Sequence, residues 1–359
     1  MKSIVYIVLY FGKFPSIFPL WLNSCRNNPT IDWLIFTDDH SCFNYPQNVR
    51  VEYTTFENIQ ARFKKHFDYP VVLHKPYKLC DYRICYGAVF QDFIKNYDFW
   101  GFCDIDLLWG NIRTFITEGI LNKYDKIGFQ GHSTLVRNID FYNRMYTLSV
   151  DGKSFKDFAS TEKNGFVDEV FFNKLFISRG IPFYDKIVFA NLSSLMPNFK
   201  ITYLLPEEEN KNKRFIFVYE DESLYRMSVA NGKIYKDEFM YVHFLRRDME
   251  ICISANSKKF IIIPNKLIPY TTITRQFIIK ASRPHWIKFI LLHFIENAYK
   301  LNYKTVIPVL ITKVKGYSKL FFNNKETIRI IYDSVKINRW LGEPNVSICI
   351  CSRLTTKTK

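Results

Sequence analysis

The chain has 359 residues, 48% of them apolar and 18% aromatic, so one large domain with an extension, or two domains, can bury a substantial core. The net charge of +16 does not describe a uniformly basic protein: residues 1–257 hold 31 Lys/Arg against 30 Asp/Glu, whereas residues 258–359 hold 19 against 4. No stretch approaches the roughly 18 uninterrupted apolar residues of a membrane-spanning helix. None of the eight cysteines has zinc-site spacing, which fits reduced, buried thiols.

Residues 3–11 form a continuous β-prone run, expected as a parallel strand buried on both faces rather than a short signal peptide, because no small-residue cleavage site follows. Gly12 to Pro15 make the loop at its C-terminal end. Residues 18–25 read as a helix, 33–37 as a second buried strand closed by Asp38 and Asp39, and 49–53 as a third strand. Helical spacing of Leu79, Tyr82, Tyr86, Val89, Phe90 and Phe93 predicts a helix over 78–93, and 97–102 is the next strand, running into Asp104. Strand, helix, strand, helix, strand implies an α/β fold with a parallel sheet, whose ligands bind at the C-terminal strand ends. Further on, 126–130 is expected as a strand, 168–176 as a helix, 200–221 as a surface loop or hairpin, and 239–244 as a strand.

The centre of the expected chemistry is Asp104-Ile105-Asp106. Alternate residues share a face, so at the end of a strand both carboxylates lie on the same side and repel unless a cation sits beside them. Hard divalent ions such as Mn²⁺ or Mg²⁺ take such oxygens and keep positions open for phosphate. A pair of solvated turn aspartates is the plainer alternative. Asp38 and Asp39, at the ligand edge of the sheet, suit ribose or base, although turns favour Asp anyway. Lys78 and Asp81, three apart, share a helical face, while Arg83 should point elsewhere unless the helix begins at Asp81. His243 in an aromatic strand is a further metal ligand or a buried histidine satisfied by backbone, and Arg246 or Arg247 is a diphosphate clamp by its forked donors. Asp168 and Glu169 open a helix, where a carboxylate serves as a base toward an acceptor hydroxyl or simply complements the dipole. Gly131-His132 follows a strand, and for His132 a plain structural role is expected.

The segments Tyr10–Pro15, Asp32–Asp39, Lys75–Arg83 and Asp98–Asp106, with His243-Phe244, resemble a bacterial glycosyltransferase family encoded among genes for capsule, exopolysaccharide or O-antigen synthesis. The similarity spans roughly residues 1–250. A looser similarity is to Asp-x-Asp sugar transferases with a Lys-Ser-Asp-x-x-Arg helix before the Asp-x-Asp strand. Here Asp81 and Arg83 stand one residue closer together and the Gly-Gly pair is absent, so the role of Arg83 and retaining stereochemistry do not carry over directly.

The resemblance implies an α/β domain of the GT-A type, a nucleotide-diphospho-sugar transferase, over 1–255, and the change to a basic, aromatic pattern beyond it is expected as a mainly helical extension over 256–359. For Asp104 and Asp106 the resemblance implies metal and nucleotide-diphosphate binding; the residue pattern adds Asp168 and Glu169 to the expected catalytic centre and His243 to Asp104 and Asp106 as a ligand of Mn²⁺ or Mg²⁺. Phe11, Gly12, Asp38, Asp39, Lys78, Asp81, Arg83, Arg246 and Arg247 are assigned to a nucleotide-diphosphate sugar. The expected acceptor is a glycan or lipid-linked oligosaccharide. The basic, aromatic extension, with Trp286–Ile295 and Leu320–Phe322, suits an anionic membrane surface, which places the chain at the cytoplasmic face of the inner membrane. No nucleic-acid motif is present, and a nucleic-acid partner is not expected. The alternatives are a metal-dependent nucleotidyltransferase and a non-catalytic adaptor.

Overall fold

The computed structural model describes residues 1–283, apart from 194–196, 204–208, 210, 212 and 246. The strands are β1 (Ile4–Tyr10), β2 (Asp32–Thr37), β3 (Val49–Tyr53), β4 (Phe99–Cys103), β5 (Leu107–Trp109), β6 (Lys126–Gln130), β7 (Ser133–Arg137), β8 (Phe189–Asn191), β9 (Phe215–Glu220), β10 (Ser223–Ala230), β11 (Lys233–Phe239), β12 (Tyr241–His243), β13 (Glu250–Ile251), β14 (Phe260–Ile263) and β15 (Lys266–Pro269). They make three sheets, ordered β3-β2-β1-β4-β7-β6, β5-β12-β8 and β11-β10-β9-β14-β15-β13.

The first sheet carries the expected parallel strands: β2 and β4 flank β1 in parallel, and β3 extends β2 in parallel. β7 and β6 add antiparallel, so the sheet is mixed. Alternation along β1 sends Val5 and Ile7 into one core layer and Ile4, Tyr6 and Val8 into the other. The first layer packs them against Phe63, Tyr82 and Phe90, and the second against Phe18, Trp21 and Trp109. An uninterrupted apolar strand is what burial on both faces requires. Helices α1 (Phe18–Arg26) and α2 (Phe56–His66) cover opposite faces, α2 capped by the Thr55 side chain at Asn58 N.

Four expectations change. The helix over 78–93 is a chain of short turns, Pro76–Lys78 and Arg83–Cys85 with 3₁₀ pitch and Leu79–Tyr82, Tyr86–Val89 and Gln91–Ile94 with α pitch. Apolar residues on every side are buried, and Gly87 lies so close under the Trp100 indole that a Cβ would stand 2.5 Å from it, so packing overrides a single helical axis. Residues 167–177 are helical as expected but open with a π turn, Val167–Phe171. The stretch 200–221, expected as a surface loop or hairpin, ends in strand β9, which forms a hairpin with β10 but is buried in the third sheet rather than at the surface. The stretch 239–244 is split at Met240, whose N–H donates to Val188 O and whose carbonyl accepts from Gly110 N.

The third sheet runs through the division expected at residue 255, because β14 pairs antiparallel with β9 and the helix Arg275–Ala281 packs Ile278 on Ile216 and Ile261. The compact unit extends from Met1 to Pro284. Residues 260–269 are strands rather than part of a mainly helical extension, and 284–359, with the aromatic basic segments named above, lie outside the described residues.

Lys126, at the start of β6, is fully buried. Its Nζ donates to Gly128 O (2.6 Å) and Asn173 Oδ1 (2.7 Å) and stands 4.2 Å over the Phe183 ring. Burial pulls its pKa down to about 7. The unfolded chain therefore binds the proton over a pH range in which the folded chain does not, and between pH 7 and 10 this group makes stability rise with pH, by at most about 1.4 kcal/mol per unit. Urea denaturation of the protein and of Lys126→Met should show their stability difference moving toward the wild type across that range. A constant difference would show that Lys126 titrates as an ordinary surface lysine.

Candidate metal centre

The site forms where β4 leaves the first sheet and β5 enters the second. The Asp104 N–H donates to His132 O (3.1 Å) and the Asp106 carbonyl accepts from Phe244 N (2.9 Å), which holds the Asp-Ile-Asp turn by its backbone. In the small sheet His243 of β12 lies opposite Leu107 of β5 on one side and Asn191 of β8 on the other. Its Nε2 is 3.2 Å from Asp106 Oδ1 and 3.5 Å from Asp104 Oδ2. One ligand atom from each of the three residues fits within 4.8 Å of the others, so the group could hold a metal ion.

The second nitrogen of His243 is set by a short relay. Thr202 Oγ1 donates to Asn191 O (3.2 Å), so it accepts from Asn191 Nδ2 (3.0 Å), which turns Asn191 Oδ1 toward His243 Nδ1 (2.8 Å). Nδ1 is then the donor, and in the neutral ring the Nε2 lone pair faces the carboxylates, the arrangement a metal-bound histidine needs. Burial favours the neutral ring, but the hydrogen bond to Asp106 and the charges of Asp106 and Asp104 outweigh it and raise the pKa. His243 is 4% exposed and the two aspartates about a quarter exposed, so the cluster has a buried back and an open front. Two carboxylates and one imidazole suit Mn²⁺ or Mg²⁺ and leave coordination positions for outside oxygens.

Arg83 links this cluster to a second one. One guanidinium nitrogen pairs with Asp104 Oδ1, and the other donates to Asp168 Oδ2 (3.0 Å) and Gly131 O (2.7 Å). Lys78 and Asp81 pair with each other and hold the 158–167 loop, whereas Arg83, two residues beyond Asp81, reaches Asp104 and Asp168. Asp168 is buried in the π turn; burial pushes its pKa up to about 7, Arg83 pulls it down, and Glu169 and Asp104 raise it. Glu169 Oε1 accepts from Gly131 N (3.2 Å), and a Cβ at Gly131 would stand 2.5 Å from Asp168 Oδ2, so glycine is required there. His132 packs behind, its ring 4.6 Å from that of His243 and its Nδ1 2.7 Å from the Tyr241 hydroxyl. Burial, with the charges of His243 and Arg83, holds its pKa well below the usual value.

Asp104, Asp106, His243, Arg83, Asp168 and Glu169 thus converge. The other expected ligand residues are engaged by protein. Asp39 accepts from Lys13 Nζ (2.6 Å), Phe14 N (2.9 Å), Ser41 N (3.0 Å) and Ser41 Oγ (2.6 Å), which hold it well below the usual carboxylate range and clasp the loop after β1 to the loop after β2. Asp38, exposed, accepts from Gly12 N (2.7 Å), and Gly12 takes φ +98°. Phe11 packs on Phe56. Lys78 and Asp81 form a buried pair (2.7 Å): Lys78 also donates to Lys163 O and Phe158 O, and Asp81 accepts from Gly165 N and Val167 N. Arg247 donates to Ser193 O and Asn265 Oδ1, and burial lowers its pKa to about 10. Arg246 lies outside the described residues. Asn191 had no signal of its own in the sequence, and Gly131 was marked only by its place after a strand.

The model of a protein family described as "Family of unknown function (DUF6625)" matches residues 6–271. The chain belongs to that family. The matched span runs from β1 through β15 and includes every residue of the two clusters. No curated protein matches the sequence. Among solved structures, the crystal structure of mouse xyloside xylosyltransferase 1 in its apo form is similar at a TM-score of 0.34 and 9% identity, over 67% of this chain and 97% of that one. A likeness of that size carries no argument, and the site stands on its own geometry.

The Lys78–Asp81 pair makes one consequence measurable. Asp81→Asn leaves Lys78 as an uncompensated buried charge, and should cost about 3–5 kcal/mol in chemical denaturation. A loss below about 1 kcal/mol would show that the pair is not structural.

Proposed function

We propose that this protein is a metal-dependent glycosyltransferase that moves a sugar from a nucleoside diphosphate to a hydroxyl of a growing glycan. The observation that carries the reading is the convergence of Asp104, Asp106 and the Nε2 of His243 at the end of a buried parallel strand, with Arg83 joining it to Asp168. The GT-A type of domain fits the order of the first four parallel strands with a small sheet that delivers His243.

When bound, Mn²⁺ or Mg²⁺ would neutralise the diphosphate as the bond to the sugar breaks. Asp104, Asp106 and His243 would hold it, and Asn191 keeps the His243 Nε2 lone pair turned toward the two carboxylates. Arg83 orients Asp104 and Asp168 together, so that the donor's phosphates and its sugar are aligned by one rigid guanidinium. Glu169, half-buried beside the Gly131 amide, is the carboxylate that takes the acceptor proton. Asp38 and the Phe11-Gly12 turn, at the C-terminal ends of β1 and β2, remain for the nucleoside. Asp39, Lys78, Asp81 and Arg247 act on it only through the loops they hold.

The motif resemblance supports a bacterial surface polysaccharide, free or lipid-linked, as the acceptor. The charge of residues 258–359 supports contact with an anionic membrane surface. No helix among the described residues is long and apolar enough to cross a membrane.

Thermal shift against UDP, GDP, CDP and TDP, with and without Mn²⁺, tests the donor side. One diphosphate should raise the melting temperature only with the metal, a stabilisation of about 2.7 kcal/mol at a hundredfold excess over Kd. Asp106→Asn and His243→Ala should remove that shift, and turnover of the matching nucleotide sugar should fall by about a hundredfold or more. Full turnover in both variants would sink the assignment. Pyrophosphate release from a nucleoside triphosphate would make the protein a nucleotidyltransferase instead.

A further inference from the structure

Phe166 stands out in two respects. It is 54% exposed, and its backbone is left-handed at φ 51°, ψ 42°. A bulky aromatic side chain disfavours that conformation, which persists only where the surroundings over-determine it. Here they do. The Asp81 carboxylate accepts from the residues on both sides, Gly165 N (2.9 and 3.1 Å) and Val167 N (3.3 Å), and the Phe166 carbonyl accepts from Val170 N (2.7 Å). Asp81 is itself locked by the buried Lys78, which also grips the carbonyls of Phe158 and Lys163. Gly165 admits no Cβ, because Phe158 already occupies that space.

The outcome of this clamp is selective. Val167 and Asp168 turn inward, Asp168 to Arg83, while Phe166 and Val170 stay in solvent, 54% and 51% exposed. Glu169 lies between them in sequence and is half-buried. A buried ion pair therefore maintains a strained backbone whose effect is to leave an aromatic ring exposed within three residues of both carboxylates of the second cluster. An apolar peptide partner would not need those carboxylates, and a phosphate would be repelled by them. A pyranose ring suits both features: its C–H face packs on an aromatic face, and its hydroxyls donate to carboxylates.

We propose that Phe166 is the stacking platform of an acceptor-sugar subsite, with Glu169 receiving the hydroxyl that reacts. The inference rests on the glycosyl-transfer reading, to which it adds the acceptor's chemical class, a pyranoside with an unsubstituted apolar face. Phe166 positions the acceptor and takes no part in holding the metal.

Saturation-transfer NMR on the full-length protein tests this with methyl β-D-glucopyranoside, methyl β-D-galactopyranoside and methyl α-D-mannopyranoside as probes. The wild type should transfer saturation to ring C–H protons of at least one of them. Phe166→Tyr should retain it. Phe166→Asn, whose new side chain tolerates the left-handed backbone, should weaken binding at least fivefold, with an unchanged or higher melting temperature and an unchanged Mn²⁺-dependent diphosphate shift. Equal binding by Phe166→Asn, or no transfer to any of the three glycosides by the wild type, overturns the inference. Loss of glycoside binding in Phe166→Asn, in a protein whose wild type shows no metal-dependent diphosphate shift, would keep the sugar subsite and remove the transferase reading.

Discussion

The mutual repulsion of Asp104 and Asp106 is the constraint on which the rest of the site depends. Two carboxylates one residue apart, each about a quarter exposed, are held beside a nearly buried histidine. Such an arrangement is stable only if positive charge is brought to it. Among the described residues, Arg83 brings positive charge to Asp104, and His243 stands beside both carboxylates. The same guanidinium serves Asp104 with one nitrogen and Asp168 and the Gly131 carbonyl with the other, as its planar fork of donors allows. The compensation for one repulsion therefore fixes the geometry of the second cluster.

A related economy governs the other charges. Lys78, Asp81, Asp39 and Arg247 belong to motifs that suggest ligand contacts, yet each binds backbone groups of a loop. Burial explains why. A charge removed from water must be saturated with hydrogen bonds or it destabilises the fold, and loops offer unpaired amides and carbonyls that need partners in turn. Asp81 serves Gly165 and Val167, Asp39 serves Phe14 and Ser41, and Arg247 serves Ser193. These residues act on the site at one remove, by deciding where Asp168, the loop after β1 and the segment after β8 lie.

Much of the first sheet was legible from local pattern. β1, β2 and β4 are continuous apolar runs because both faces are covered, and their polar ends mark the ligand edge. The short turns of 78–93 and the course of the third sheet past residue 255 are not legible in local pattern, for one reason. Periodicity reports which residues are buried, not how many short turns pack them, and a strand such as β14, whose partner β9 lies some forty residues earlier, carries no local sign of that pairing.

The sequence by itself determined the Asp-x-Asp turn at the end of a buried strand, the aromatic strand carrying His243, and the acidic pair Asp168-Glu169. These are local features, set by residue type and spacing. That His243 lies 3.2 Å from Asp106, 137 positions away in sequence, was decided only by the pairing of β12 with β5. Tertiary structure alone also brought Arg83 to Asp104 and Asp168 while Lys78 pairs with Asp81, and set the His243 tautomer through Asn191. Hydrogen bonds between distant strands and the desolvation of charges depend on which groups are brought together, and no spacing along the chain encodes that.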